Sequence, residues 1–303
     1  MNQLATNMNN TQPMYFLVGL LMLLAPLLWG IDRQSTIFLL EILCLPLIWL
    51  SGKHVRDLYR QYPGPLLLTL LIIAVVVFQL IPLPMSIWGL LPGREFYLEV
   101  FSLVPDEIVS SWRASTIVPV RTEQALLYLL PPFAVFFAVL LLEVNAIRKL
   151  VMLAVAMAVF QSTLGLVQYG GGIELPIDTQ YKQVARGTYL NRDHLAGFLL
   201  MVFPVVLALL ASMIGWRAGF MRAGNSMRKR WQFMASLQGN QSIFYGAIAI
   251  LIILCVIFTR SRAGIALLMI GLLFALFVFS RRLGRSNIYG AYGTVVAIII
   301  VLS

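Results

Sequence analysis

Long apolar runs separated by short polar segments dominate this chain. An α-helix rises 1.5 Å per residue, so about 20 apolar residues cross the roughly 30 Å hydrocarbon layer of a bilayer. Runs of this kind begin near Met14, Ser35, Pro65, Glu123, Ile147, Asp193, Ser242 and Ala263. The pattern predicts an all-α fold, a polytopic transmembrane helical bundle with eight complete spans.

A ninth apolar segment closes the chain. Residues 286–303 carry no charge, but the strongly apolar part runs only from Val295 to Leu302. That stretch is much shorter than the roughly 20 residues that a crossing needs. We therefore expect a truncated ninth span, and a chain whose C-terminal part is missing.

Composition agrees with a membrane protein and argues against a nucleic-acid partner. Hydrophobic residues make up 60% of the chain, charged residues make up 11%, and the mean hydropathy is +0.88. The net charge of +10 comes from basic residues spread over short loops between spans, not over one soluble face. Membrane lipids, and no nucleic acid, are the partners that this distribution predicts.

The basic loops also predict an orientation. Lysine and arginine concentrate in the loops 51–64, 143–149, 215–241 and 281–285, which alternate correctly with the spans. By the positive-inside rule these loops and the amino terminus are cytoplasmic. The opposite loops are rich in acidic residues and face outward.

The spans group into two regions. Residues 1–122 contain the first three spans and an outer loop, 92–122, whose aromatic and charged residues predict a short helix at the membrane interface. The aromatic residues of this loop are Phe96, Tyr97, Phe101 and Trp112. Residues 123–303 form the second region.

Nine of the 22 basic residues contradict the topological rule because they lie on the outer side, and four of these are arginines in two tight clusters. Arg186 and Arg192 precede the sixth span, while Arg260 and Arg262 lie between the seventh and eighth spans. Arginines at helix ends can simply extend to lipid phosphates. Two clusters on the same face also fit a site for an anionic ligand.

Helix direction strengthens the second interpretation. The sixth and eighth spans both run inward, so their amino termini, with unpaired N–H groups and partial positive charge, open on the outer face. Either Asn191 or Asp193 is expected to cap the sixth span, and Ser261 the eighth. Ordinary capping is the simpler use of each helix start. The sequence predicts a pyrophosphate site where the two starts and the arginines meet.

Other polar residues of this region have more modest expected roles. His194 has a side chain suited to acid–base chemistry, but a histidine at a helix start is more often structural. We assign no catalytic residue and leave His194 as the weaker option. Gln161 and Gln168 lie inside the fifth span and are predicted to hydrogen-bond between helices.

The two clusters resemble a known family signature. The first reads Gly187-Thr-Tyr-Leu-Asn-Arg-Asp-His-Leu-Ala-Gly-Phe198. It is similar to the Gly-Thr-aromatic-x-Asn-x-Asn-His-x-Ala-Gly-aromatic pattern that opens a span in the O-antigen ligase and O-antigen polymerase superfamily. The second, Thr259-x-Ser-Arg-Ala-Gly264, resembles that family's Thr-x-Ser-Arg-Gly segment. Together the motifs and span layout cover roughly residues 128–280.

The resemblance implies a glycosyltransferase of lipopolysaccharide or exopolysaccharide biosynthesis in the bacterial inner membrane. Such an enzyme moves a glycan from an undecaprenyl-diphosphate carrier to a glycan, lipid A core or protein acceptor at the periplasmic face. Family members invert the anomeric carbon and use no metal or other cofactor.

The resemblance also implies roles for residues of this chain. By position, Arg186 and Arg262 become the main diphosphate ligands, and Arg192 and Arg260 the secondary ones. The supporting motif residues are Gly187, Thr188, Asn191, Asp193, His194 and Ser261.

Two departures from the family pattern qualify this expectation. Asp193 stands where the pattern has asparagine, so an ion pair of Asp193 with Arg192 or Arg260 is predicted. The family's large periplasmic loop, with the histidine proposed as general base, follows later spans and is not in this sequence. The alternatives are a transporter or flippase of lipid-linked glycan, and a noncatalytic membrane subunit of an envelope polysaccharide complex.

Overall fold

A computed structural model describes residues 2–28, 33–103, 112–172, 183–215 and 237–283. Its side chains are described for residues 11–28, 35–103, 112–172, 183–212 and 240–275. The elements of the described residues are, in chain order, α1 (Asn2–Leu28), α2 (Arg33–Gly52), α3 (Val55–Gln61), α4 (Pro63–Leu80), β1 (Pro82–Pro84), α5 (Met85–Trp88), α6 (Glu95–Ser102), β2 (Trp112–Ala114), α7 (Pro119–Tyr128), α8 (Leu130–Leu141), α9 (Val144–Tyr169), α10 (Arg192–Gly215), α11 (Leu237–Phe258) and α12 (Arg262–Leu283).

Seven apolar stretches of the described chain are long enough to cross a membrane. They are Thr11–Leu28, Ser35–Gly52, Pro63–Leu80, Pro119–Leu141, Val144–Tyr169, Arg192–Ser212 and Asn240–Phe258. Each corresponds to one of the first seven predicted spans. The eighth prediction falls on α12, of which Arg262–Ala275 is the apolar part among the residues whose side chains are described. The ninth lies outside the described residues.

The fourth span, Pro119–Leu141, is interrupted only at Leu129, whose backbone angles remain α-helical. α7 ends at Tyr128 and α8 begins at Leu130. Pro131 and Pro132 lie in the first turn of α8. Proline has no N–H group and clashes with the preceding turn of a continuing helix, but it fits the first turn of a new one. The two prolines therefore place the break.

The chain divides into two compact units, and unit 1 comprises Met1–Leu21 and Ile37–Val144. The spans of this unit include α4, and β1 follows α4 directly. β1 pairs antiparallel with β2 in the register Pro82↔Ala114, Leu83↔Arg113 and Pro84↔Trp112. This ribbon was not predicted, because β1 is only three residues long and two of them are prolines. Proline cannot donate a hydrogen bond to a neighbouring strand. It is therefore found on edge strands, where an N–H group that faces away from the sheet needs no partner strand.

The short helix predicted in the loop 92–122 is present as α6. It carries Phe96, Tyr97 and Phe101, but Trp112 belongs to β2. We call this part of unit 1 the cap and define it as residues 81–103 and 112–118. The cap joins the end of α4 to the start of α7.

Unit 2 comprises Met22–Thr36 and Asn145–Ser303. Its core is formed by side chains of α9, α10, α11 and α12, together with Ala185 from the preceding loop. The largest contributions come from Leu195, Leu199, Phe203, Val206 and Ile252, none more than 1% exposed. Cys255 belongs to the same core, and Cys44 is buried in α2. Both thiols are free.

Small residues let the helices of unit 2 approach closely. A Cβ added to Gly264 of α12 would lie 2.8 Å from the Cβ of Ala196 in α10. A Cβ added to Gly165 of α9 would lie 3.2 Å from the Sγ of Cys255 in α11. Interfaces between transmembrane helices favour such residues because packing, not water exclusion, holds the helices together.

Candidate anion site at one end of unit 2

One end of unit 2 collects two helix ends and two helix starts. The last residues of α9 and α11, Tyr169 and Phe258, place their ring centroids 4.4 Å apart. The starts of α10 and α12 meet through Ala196 and Gly264. We call this region the arginine end, defined as residues 183–194 and 258–264. Both sequence motifs therefore lie together within one unit.

Two glutamines of α9 hold the loop that precedes α10. The Nε2 of Gln161 donates to the Thr188 hydroxyl at 2.7 Å, and its Oε1 accepts the Thr188 backbone N–H at 2.9 Å. Gln168 donates to the Gly187 carbonyl at 2.8 Å and accepts the Arg186 N–H at 3.4 Å. Their seven-residue spacing puts both on one helix face. The predicted inter-helix bonding of these glutamines is wrong, because their partner is the motif loop.

The loop is fixed at two further points. The Thr188 hydroxyl donates to the carbonyl of Pro26 in α1, and the Ala185 N–H donates to the Phe258 carbonyl at 3.0 Å. The second bond places Arg186 beside the end of α11, two residues from Arg260. One backbone hydrogen bond thus joins the residues that lie just before the two motifs.

Gly187 is required by this arrangement. Its φ of +59° is a left-handed conformation that side chains rarely adopt. An added Cβ would also overlap the Oε1 of Gln161, which must stay in place to bind Thr188. The left-handed backbone and the close approach of Gln161 therefore explain why the motif has glycine at this position.

The start of α10 is capped by Asn191, one of the two predicted alternatives. Its Oδ1 accepts the Asp193 N–H at 2.8 Å, and its carbonyl accepts the His194 N–H at 3.1 Å. The side chains of Asp193 and His194 are exposed in the first turn. The ion pair of Asp193 with Arg192 or Arg260 stays a prediction.

The start of α12 is capped by Ser261, as predicted. Its Oγ accepts the Gly264 N–H at 3.0 Å, and its carbonyl accepts the Ile265 N–H at 2.9 Å. Thr259 supports the cap: its Oγ1 accepts the Ser261 N–H at 3.2 Å and donates to the Val256 carbonyl at 2.6 Å. Both hydroxyl residues are buried. Between them lies Arg260, whose φ of +54° turns the chain from α11 into α12.

Loss of the Ser261 cap should destabilise unit 2. We expect Ser261→Ala to lower the free energy of unfolding by about 1 kcal/mol, because it leaves a helix-terminal N–H without its acceptor. Thermal unfolding of the purified protein measures the change. Ser212→Ala is the matched control, because the exposed Ser212 hydroxyl bonds only the Leu209 carbonyl of its own helix. Equal effects of the two changes would contradict the capping role.

The four predicted arginines occupy two kinds of environment at this end. Arg186 and Arg192 are half-buried, whereas Arg260 and Arg262 are exposed. The Arg260 guanidinium carbon lies 5.9 Å from the ring centroid of Tyr169, within cation–π range. Burial lowers the pKa of Arg186 from its ordinary value. That value is so high that the guanidinium stays charged at neutral pH.

Aromatic side chains line the same end. Burial raises the pKa of Tyr189 to about 12, so this phenol is neutral at physiological pH. Its ring lies 6.3 Å from that of Phe198 in α10. Both rings occupy aromatic positions of the first sequence motif.

Comparison with protein-family models, with curated proteins and with solved structures finds no match. The class of the protein therefore rests on its own architecture. The number, length and apolar composition of its helices define a multi-pass helical membrane protein.

Proposed function

We propose that this protein is a membrane glycosyltransferase of the O-antigen ligase and polymerase type. It transfers a glycan from an undecaprenyl-diphosphate carrier to an acceptor at the periplasmic face of the inner membrane. The proposal rests on one observation at the arginine end. The loop that contains Arg186 is hydrogen-bonded to the end of α11, next to Arg260. Each of the two motifs opens a capped helix there.

The chemistry of such a transfer suits this arrangement. The acceptor hydroxyl attacks the anomeric carbon, the bond to the diphosphate oxygen breaks, and negative charge grows on the leaving diphosphate. Charge that develops in the transition state is best stabilised by donors held in place beforehand. Guanidinium groups match phosphate oxygens in geometry and charge. Two helix amino termini add partial positive charge.

The rigid support of the loop is a second argument. Arg186 lies in a segment whose backbone is bonded to Gln168 and, through its neighbours, to Gln161 and Phe258. A diphosphate site gains from such restraint, because misplacement of a catalytic group by about 1 Å can cost roughly 100-fold in rate. Simple lipid contact by an arginine at a helix end needs no such support.

A transfer assay tests the proposal. Purified protein is reconstituted into vesicles that contain a radiolabelled glycan on undecaprenyl diphosphate, together with an acceptor glycolipid. We expect labelled acceptor and released undecaprenyl diphosphate in equal amounts. Movement of intact donor across the bilayer without either product would instead establish a flippase. Neither product nor movement, with donor and acceptor both present, would support a noncatalytic subunit.

The orientation is tested separately by cysteine labelling. Arg260 and Arg148 are both exposed and lie near opposite ends of α9, whose 26 residues span about 39 Å. In intact cells with a permeabilised outer membrane, we expect an impermeant maleimide to label Arg260→Cys and not Arg148→Cys. The unaltered chain is the blank, because Cys44 and Cys255 are buried. The reverse labelling would place the arginine end in the cytoplasm and contradict the proposal.

A further inference from the structure

The cap of unit 1 contains a second pair of arginines that the proposed function does not use. Arg94 precedes α6 and is only 7% exposed, and Arg113 is the central residue of β2 and is half-buried. A terminal nitrogen of Arg94 donates to the Ser115 carbonyl, two residues beyond Arg113. The two side chains therefore belong to one small structure.

Each guanidinium group packs against one ring of an aromatic pair. The Arg94 guanidinium carbon lies 4.5 Å from the ring centroid of Trp88, and that of Arg113 lies 3.9 Å from the centroid of Phe101. The two ring centroids are 6.0 Å apart, and the Trp88 Nε1 donates to the Ala114 carbonyl at 2.9 Å. The aromatic pair fixes both arginines in place.

Several donors of these arginines are unused. The Nε and Nη1 of Arg94 and the Nε of Arg113 are buried and have no hydrogen-bond partner. Glu95 and Glu99, the carboxylates of the described cap, are exposed and pair with neither arginine. A buried donor on a charged group is destabilising when it is left without a partner. An oxyanion would satisfy these donors and balance the charge.

The surface of the cap indicates the source of the oxyanion. The cap follows α4 and precedes α7 within a few residues, so it lies at the membrane end of two spans. Large apolar side chains face outward from it, including Leu90 at 84% exposure, Leu103 at 81% and Phe96 at 68%. Exposed apolar side chains and stacked aromatics are typical of the headgroup region. Phosphate esters of lipids are the oxyanions of that region.

We propose that Arg94 and Arg113 bind the phosphate ester of a membrane lipid. The half-buried Arg113 gives the phosphate access, and Arg94 supplies a second charge and unused donors. The site is independent of the arginine end, because every contact that supports it lies within unit 1. It anchors the cap to the bilayer whether or not the protein transfers glycans.

The test measures thermal unfolding of the full chain in detergent with defined added lipids. The probes are short-chain phosphatidylglycerol, undecaprenyl phosphate, inorganic phosphate and diacylglycerol with matched chains. We expect both lipid phosphates to stabilise the wild-type protein and diacylglycerol to have no effect. The ranking of the two lipid phosphates identifies the source. Equal stabilisation by diacylglycerol, or stabilisation by inorganic phosphate alone, would overturn the proposal.

Variants assign the effect to the cap. Arg113→Gln should weaken the apparent affinity for phosphatidylglycerol roughly tenfold, as expected for loss of one charge-assisted hydrogen bond. Arg121→Gln is the matched control, because Arg121 is exposed at the start of α7 and bonds Gln124. The Arg113 side chain makes no hydrogen bond to the described residues, so its replacement should leave the fold intact. Unchanged affinity in Arg113→Gln would overturn the proposal.

A double variant tests whether carboxylates of this chain, and not a lipid phosphate, pair with Arg94 and Arg113. Asp106 and Glu107 lie outside the described residues, between α6 and β2 in the sequence. If these carboxylates neutralised the two arginines, the double change Asp106→Asn with Glu107→Gln would lower the unfolding temperature and create lipid-phosphate binding that the wild type lacks. We expect the opposite result, with binding in the wild type that the double change preserves.

Discussion

Glutamine at Arg186 or at Arg262 should reduce glycan transfer by roughly 100- to 1,000-fold. Removal of one preorganised donor from a developing oxyanion costs about 3–4 kcal/mol of transition-state stabilisation. The loss should appear in kcat, because charge on the diphosphate grows as the glycosidic bond breaks. Lysine at either position should recover part of the activity, since it restores the charge but not the planar fork.

A structural control separates chemistry from folding in this experiment. Arg148→Gln removes an exposed arginine from the first turns of α9, far from the arginine end, and should transfer at the wild-type rate. Arg262→Gln should keep the wild-type unfolding temperature, because Arg262 is exposed and the Ser261 cap of α12 remains. Wild-type transfer by both site variants would contradict the proposed function.

Alanine at Gly187 should damage both stability and activity. The substitution forces a side chain into a left-handed backbone, at about 1–2 kcal/mol, and pushes its Cβ against the Gln161 amide. Adjustment of a packed site to the extra atom costs about 1–3 kcal/mol more. We expect a loss of about 2–4 kcal/mol in the free energy of unfolding. Transfer should fall at least tenfold, because the loop carries Arg186.

Two other glycines of unit 2 separate the cost of backbone strain from the cost of the clash with Gln161. Gly171 has a φ of +77° but nothing within 4 Å of an added Cβ, so Gly171→Ala measures backbone strain alone. Gly197 has nothing within 4 Å and lies inside α10, so Gly197→Ala should cause no loss. Thermal unfolding should rank the three variants with Gly187→Ala lowest and Gly197→Ala highest. If all three variants unfolded at the same temperature, the contact between the loop and Gln161 would contribute nothing to the free energy of unfolding.

The sequence predicted what depends on neighbouring residues along the chain. Apolar run length located seven crossing helices, and the residue types before the sixth and eighth spans identified the caps. Asn191 and Ser261 cap as expected because a cap is formed by a side chain and the backbone two or three residues beyond it. The α6 helix was predicted for the same local reason.

Features made by residues far apart in the chain were not predicted. The β1–β2 ribbon pairs segments about 30 residues apart and contains two prolines, so neither strand has a recognisable pattern. The glutamines of α9 reach a loop 18 to 27 residues later, and their sequence spacing shows a common face but not its partner.

The sequence by itself determined that the chain is a membrane helical bundle and that Ser261 caps α12, and it narrowed the cap of α10 to Asn191 or Asp193. The length of an apolar run and the type of residue before a helix are local features, so both can be read directly from the sequence. Only the tertiary structure decided that the two arginine motifs adjoin, that Gln161 and Gln168 hold the loop of Arg186, and that Arg94 and Arg113 flank one aromatic pair. These arrangements depend on which helix faces pack together. That choice is made by shape complementarity over the whole core of each unit.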